Sequence, residues 1–340
     1  MSELVDQLAD LTGFRDRDVL DVTLVGAFRD LLRPLSVAIY RSVGEAGDER
    51  WLTRARLGEH DVAASADSAW TDLEQLPRRT HDAARLEAFE RRCVVTVPGA
   101  PHRSLFPVAT DREVVGVLEI QTDEALDLKD QRLVASILRI YRNFQALLDY
   151  SEHDTLTGLL NRKTFDESFM KAASEPRPEG PDDGEGRRRL SGTHWLGVVD
   201  IDHFKRVNDT CGHLIGDEVL LLVSRLMRAG FRFHDRLYRF GGEEFVVLMR
   251  CAHGEAAMAA FERLRVLVER YVFPQAGHIT VSVGYTEVRP VDTPNAAFER
   301  ADRAVYYAKA HGRNRVCSHS ELVARGELVE GDAVSDVELF

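Results

Sequence analysis

Between Asp16 and Leu32 the apolar residues Leu20, Leu24, Phe28 and Leu31 recur every three or four positions, and Pro34 closes the pattern. This spacing lines one face of a helix. Strand-like stretches follow at Leu35 to Val43, Trp51 to Leu57, Val94 to Val97, Ser104 to Ala109 and Val114 to Gln121, separated by glycine, proline and charged turns. They predict a small antiparallel sheet with flanking helices. From Asp127 to Ser151 the residues Leu133, Ile137, Ile140, Phe144 and Leu147 alternate in steps of four and three, the spacing of a coiled-coil seam. Either this face packs on the preceding sheet or it forms a parallel two-helix stalk. The polar residues Arg139, Arg142, Asn143 and Gln145 around the seam favour a stalk for the second half.

The second half of the chain changes to alternating strands and helices. Strands are predicted at Trp195 to Ile201 and His278 to Thr286, with a hairpin of Arg236 to Phe240 and Phe245 to Arg250. Helices are predicted at Asp217 to Met227, Glu255 to Tyr271 and Pro294 to His311, the last with proline at its start and Gly312 just past its end. The result is a mixed layer of the α/β (α+β) class. Ser174 to Gly192, rich in proline, glycine and charge and containing Arg187, Arg188 and Arg189, is expected to be a flexible surface loop. Beyond Cys317 the chain is acidic with sparse apolar residues, and a frayed or surface-helical tail is expected.

Length and charge narrow the function classes. A chain of 340 residues divides naturally into two cores. Its net charge of -12 excludes a general nucleic-acid binder, which gains affinity through excess lysine and arginine. No apolar run reaches the roughly 18 to 20 residues of a membrane span. Met1 to Asp18 lacks the basic start and apolar stretch of a secretory signal, so a cytoplasmic protein is expected. Cys93, Cys211, Cys251 and Cys317 lie far apart, without a CxxC pair, and are expected to be buried thiols rather than zinc ligands or a disulfide framework.

Candidate chemistry concentrates on two strands. In Val198-Val199-Asp200-Ile201-Asp202 an apolar strand ends in two carboxylates that alternation puts on one face. The hairpin tip Gly241-Gly242-Glu243-Glu244-Phe245 has glycines suited to positive φ and two further carboxylates. Magnesium takes one or two protein carboxylates and fills its octahedron with phosphate oxygens, so such a site suits a nucleoside triphosphate. Lys205, Lys309 and Arg313 are the cations placed to meet phosphates.

Two resemblances follow from these residues. Leu105-Phe106-Pro107-Val108-Ala109 and Val114-Val115-Gly116-Val117-Leu118-Glu119-Ile120, followed by a long helix, resemble a GAF domain. That resemblance implies a sensory domain over 1–130, receiving an unknown small-molecule or protein signal; a dimerising module without a ligand fits as well. Residues 131–152 are then a helical coiled-coil linker.

The second resemblance, over 153–318, is to the GGDEF domain of diguanylate cyclases. Its residues are Asp154-Thr155-Leu156-Thr157-Gly158-Leu159-Leu160-Asn161-Arg162, Asp200 through Asp209, Gly212-His213-Leu214-Ile215-Gly216-Asp217, Arg239 through Phe245 and Ala308 through Arg315. It implies a palm-like, nucleotidyl-cyclase-like fold with a central mixed sheet. It also implies condensation of two GTP into cyclic di-GMP and two pyrophosphates by a homodimer. Asp200, the Ile201 carbonyl, Glu243 and Glu244 are implied as the magnesium site, with manganese as the alternative ion. Glu243 and Lys205 are implied as catalytic residues, Glu243 as the base for the attacking ribose hydroxyl. Asn208 and Asp217 are implied to read guanine with His213 nearby, and Lys205, Lys309 and Arg313 to hold the triphosphate.

Arg232-Phe233-His234-Asp235 has the RxxD form, five residues upstream of Gly241, and Arg263 follows on the next helix. These match an inhibitory product site in which Arg232, Asp235 and Arg263 bind cyclic di-GMP. Lys163 departs from the family's second arginine, and the 174–192 segment looks like an insertion. A non-catalytic receptor for GTP or cyclic di-GMP acting through protein partners is the alternative, as is another chemistry on a palm-like fold. The remaining 319–340 form an acidic tail.

Overall fold

A computed structural model describes residues 17–68, 70–110, 113–174 and 192–330, arranged in two compact units, Met1–Ser151 and Glu152–Phe340. The expected absence of a signal segment at the N-terminus therefore falls outside the described residues, as do most of the expected 174–192 loop, with its arginine triplet, and the end of the acidic tail. Among the described residues no helix is long and apolar enough to cross a membrane.

The first unit begins with α1 (Arg17–Leu32), β1 (Ser36–Val43) and β2 (Arg50–Gly58). It continues through α2 (Ala83–Arg91), β3 (Val95–Val97), β4 (His102–Ala109), β5 (Val114–Thr122) and α3 (Leu128–Glu152). The strands pair antiparallel in the order β2-β1-β5-β4-β3. Leu20, Leu24 and Phe28 of α1 pack with Val37, Ile39, Leu118 and Ile120 of the sheet and with Val134, Ile137 and Tyr141 of α3. On the other face Ala88 of α2 joins Trp51, Leu105 and Val117. The sequence pattern missed α2 because Ala88 is its single buried residue, so no apolar stripe marks it. Its start is set instead by Asp82, whose carboxylate accepts from the Arg85 N–H.

The packing of α3 is decided by polar groups. Its buried residues are Val134, Ile137, Tyr141, Gln145 and Leu148, a stripe offset from the predicted seam, of which Leu147 is 65% exposed. The Tyr141 hydroxyl, wholly buried, donates to the Asp21 carboxylate of α1 and accepts from Arg41 at 3.0 Å and Gln145 at 2.7 Å. Arg54 binds Asp21 from β2 at 2.9 Å, and Arg17 pairs with Asp149. A buried carboxylate and phenol demand partners, and this rotation of α3 supplies them. Residues 131–151 thus pack within the first unit.

The second unit contains β6 (Leu160–Asn161), α4 (Arg162–Ser174), β7 (Thr193–Ile201), α5 (Phe204–Cys211), α6 (His213–Gly230), β8 (Arg236–Gly241) and β9 (Glu244–Cys251). It closes with α7 (Gly254–Arg270), β10 (Val272–Phe273), β11 (Gly277–His278), β12 (Val281–Glu287), α8 (Pro294–Ala310), β13 (Val316–Ser318) and α9 (His319–Ala324). The sheet order β13-β12-β7-β9-β8-β6 is antiparallel at its centre and parallel at both edges. This is the mixed sheet that was expected.

Helices α6 and α7 cover one face through Val219, Val223, Met227, Phe261 and Leu264, packed on Val199, Ile201, Val247 and Val283. On the other face α8 lies directly over β12, where Gly284 lets its backbone approach. An aromatic chain of Phe165, Phe240 and Phe298 ties α4, β8 and α8 together. The predicted strand at His278 divides, because Thr280 turns its carbonyl to the Asp202 N–H and its hydroxyl to the Asp202 carboxylate. The tail expected from residue 319 opens with α9, whose His319 and Leu322 are buried. The cysteines are free thiols, but Cys93 is exposed and the others half-buried, because none sits on an inward-facing core position.

Candidate active site

The central strand and the hairpin bring the predicted carboxylates together. Asp200 near the end of β7 pairs in register with Glu244 at the start of β9, and the Ile201 N–H donates to the Glu243 carbonyl at 3.4 Å. Gly241 and Gly242 have φ of 144° and 51°, left-handed values that glycine adopts without strain. The turn is also held from outside. Arg239 donates to the Gly242 carbonyl at 2.9 Å and to both oxygens of Asp154 at 3.1 and 3.2 Å. Asp154 in turn accepts from the Thr157 N–H at 2.8 Å and hydroxyl at 2.7 Å. Burial would raise the Asp154 pKa, but these hydrogen bonds outweigh it and hold the carboxyl below its ordinary value. Arg239 and Asp154 are positioning residues to which the sequence pattern assigned no role. Both lie within the family motifs, but they are 85 positions apart and only the fold shows the pairing.

The two strand carboxylates have different fates. Asp202 accepts from the Thr280 and Ser282 hydroxyls, each at 2.7 Å, and from the Asn314 N–H at 3.0 Å. These three bonds use both of its oxygens and anchor the strand end. Asp200 is 4% exposed, and its Oδ2 lies 2.7 Å from the Lys309 ammonium while its Oδ1 is buried without a hydrogen-bond partner. Burial pushes the Asp200 pKa up to about 6; Lys309 pulls it down, and Glu243 and Glu244 push it up. Glu243 is likewise raised, chiefly by burial, with Glu244 adding to the shift and Lys309 opposing it.

Among the described residues no three His, Cys, Asp or Glu side chains converge as a metal cage. The donor set still fits a hard divalent ion that keeps most of its shell for phosphate and water. An orphaned, buried carboxylate oxygen beside two more carboxylates is electrostatically deficient in positive charge.

Beyond β7 the chain turns through His203 into α5, so Lys205 stands exposed in the first turn of that helix. Asn208 is half-buried on α5, and α6 begins at the exposed His213 and carries the exposed Asp217. Gly216 is what allows the two helices to meet: a Cβ there would lie 1.9 Å from the Asn208 Oδ1. Lys309 reaches Asp200 from the last turn of α8, and Arg313 follows Gly312 with a left-handed φ of 61°.

A second cluster forms at the far end of the β8–β9 pair. The Arg232 N–H donates to Asp235 at 2.9 Å, while Arg263 donates twice to the Gly230 carbonyl at 3.0 and 2.6 Å. Burial pushes Asp235 up to about 6, against the pull of the Arg232 N–H and of the Arg232 and Arg263 charges. Arg232 lies in the same turn as Asp235, whereas Arg263 stands on α7.

Residues 151–315 match the family described as diguanylate cyclase, GGDEF domain. The second unit is a GGDEF domain. The diguanylate cyclase DgcP of Pseudomonas aeruginosa is 41% identical over 166 residues, covering 48% of this chain and 23% of that protein. The diguanylate cyclase DgcZ of Escherichia coli is 38% identical over 181 residues, covering 50% of this chain and 57% of that protein. The chain thus spans less than two thirds of either relative. The crystal structure of the coiled coil and GGDEF domain of DgcB from Caulobacter crescentus, in complex with c-di-GMP, is 31% identical with a TM-score of 0.47. It covers 57% of this chain and 100% of that one.

Proposed function

We propose that the protein is a diguanylate cyclase, converting two GTP into cyclic di-GMP and two pyrophosphates. The observation that carries this reading is the buried Asp200, with one unpartnered oxygen, beside Glu243, Glu244 and Lys309 in a GGDEF domain. Asp200, Glu243, Glu244 and the Ile201 carbonyl are the groups that would hold magnesium or manganese. When bound, the ion neutralises phosphate charge and lowers the pKa of a nearby hydroxyl.

The chain's own residues do the rest. Asn208 and Asp217 offer the amide and carboxylate that complement a guanine edge, with His213 beside them. Lys205, Lys309 and Arg313 neutralise the triphosphate. Glu243, with its raised pKa, accepts the proton of the 3′-hydroxyl as that oxygen attacks the α-phosphorus of the second GTP and pyrophosphate leaves. The 3′-hydroxyl of the second nucleotide then attacks the α-phosphorus of the first, a second pyrophosphate leaves and the ring closes. One nucleotide per domain requires two domains face to face, so the active species is a homodimer. The exposed Leu147 and Tyr150 of α3 are apolar groups suited to helix pairing between copies.

Regulation is read at two places. The first unit, GAF-like in element order, receives a small-molecule or protein signal and acts through α3. Arg232, Asp235 and Arg263 bind the product and inhibit turnover. The test is incubation of pure protein with GTP or ATP and magnesium, with products identified by mass spectrometry. Cyclic di-GMP from GTP alone, lost in Glu243→Gln, supports the cyclase. Tight GTP binding without product would instead make the protein a nucleotide receptor. Unchanged product inhibition in Arg232→Ala would remove the inhibitory assignment.

A further inference from the structure

We infer that Lys309 is the resident counter-ion of Asp200 and must leave it before a divalent cation can bind, so that cation and nucleoside triphosphate load together. This rests on the cyclase reading for the identity of the nucleotide, but the exchange itself is a property of the carboxylate site.

The first ground is geometric. Lys309 reaches Asp200 Oδ2 at 2.7 Å, the contact distance of a charge-assisted hydrogen bond, and Asp200 is almost wholly buried. A divalent ion at the same carboxylate would stand beside an ammonium in a poorly screened setting, where like charges repel strongly. The second ground is that β7 offers no substitute. Both oxygens of Asp202 already accept, from two hydroxyls and a backbone amide, whereas Asp200 keeps an unpartnered Oδ1 and holds only Lys309 on Oδ2. The third is mobility of the cation itself. Lys309 sits in the last turn of α8 with its side chain 34% exposed, on a flexible stem that can carry the charge away without moving the helix.

A triphosphate offers the ammonium a stronger partner than a carboxylate shared with Glu243 and Glu244. Transfer of Lys309 to phosphate leaves Asp200 Oδ2 without its counter-ion, next to an Oδ1 that already lacks a partner. The lysine so acts as a gate: Asp200 stays paired without nucleotide, and the metal is recruited with it.

The experiment measures Mn2+ binding to the full-length chain by the electron paramagnetic resonance signal of free Mn2+, first without nucleotide. Lys309→Met, which keeps length and loses charge, is expected to bind Mn2+ about ten-fold more tightly than the unaltered protein, the usual effect of one neighbouring charge on an ionic equilibrium. Addition of Asp200→Asn to that variant is expected to abolish the gain. A non-hydrolysable GTP analogue is expected to tighten Mn2+ binding more in the unaltered protein than in Lys309→Met. Equal or weaker Mn2+ binding by a folded Lys309→Met overturns the inference; Lys309→Gln replaces it if thermal melting shows a fold defect. Turnover of GTP by the unaltered protein separates the two readings. Product with unchanged Mn2+ affinity in the variant removes only the gate, whereas tightened Mn2+ binding without product removes only the cyclase.

Discussion

Gly284→Ala should damage both the stability of the GGDEF domain and its chemistry, although the residue touches no substrate group. Gly284 lies on β12, paired with Val198 on one side and Cys317 on the other, beneath α8. A Cβ there would stand 2.2 Å from the Ala301 carbonyl oxygen, 2.4 Å from the Val305 nitrogen and 2.8 Å from the Ala304 carbonyl carbon. All three are backbone atoms, so no rotamer change relieves the clash. Ordinary contact begins at 3.4 Å, and the helix must retreat by about 1 Å to reach it. Overpacking of this kind costs about 1 to 3 kcal/mol. The same shift moves Lys309 and the turn bearing Arg313, the two cations of this segment that would hold the triphosphate. A displacement of about 1 Å in a positioning group can lower a rate on the order of 100-fold. Urea unfolding followed by circular dichroism reads the first effect, and initial rates of cyclic di-GMP formation read the second. Gly197→Ala is the control: its Cβ would press the Phe261 ring at 2.1 Å on the opposite face, so stability should fall with a smaller loss of rate per unit of destabilisation. Unaltered stability and rate in Gly284→Ala would refute the role assigned to the close approach of α8.

Other expectations follow from single contacts. Gly216→Ala displaces the Asn208 amide, which can rotate, so the KM for GTP should rise about ten-fold while the unfolding free energy changes by less than about 1 kcal/mol. Arg239→Gln removes the tie between Asp154 and the Gly242 carbonyl, at a cost of about 1 to 2 kcal/mol in urea, with a fall in kcat as the turn loosens. Burial would raise Glu119, but hydrogen bonds from Arg103, Gln121 and Arg85 bring it down to about 2. A carboxyl lowered on folding adds stability above its unfolded pKa and loses it as pH falls through the folded value. On the order of 3 kcal/mol should therefore disappear between about pH 4.5 and 2. Denaturation midpoints across that range should flatten in Glu119→Gln. Tyr141→Phe strips Asp21 of a buried donor and should cost about 1 to 3 kcal/mol by thermal or urea unfolding.

Short-range chemistry was legible in the chain. The strand carrying Asp200, the glycine turn before Glu243, the α5–α6 residues Asn208 and Asp217, and the cations Lys309 and Arg313 all sit in motifs whose members lie a few positions apart. Period-two and period-3.6 patterns likewise found β1, β2, β4, β5, β7, the hairpin and the long helices, because backbone geometry imposes those periods locally. Tertiary structure alone decided which polar groups meet. Asp200 and Asp202 share a face and a composition, yet one is saturated by Thr280 and Ser282 and the other is left to Lys309. The rotation of α3 was set by Tyr141 meeting Asp21, 120 residues away, which no seam pattern contains. Hydrogen bonds and ion pairs are satisfied across the register of distant strands and helices, so their partners are a property of the packed chain rather than of any window within it.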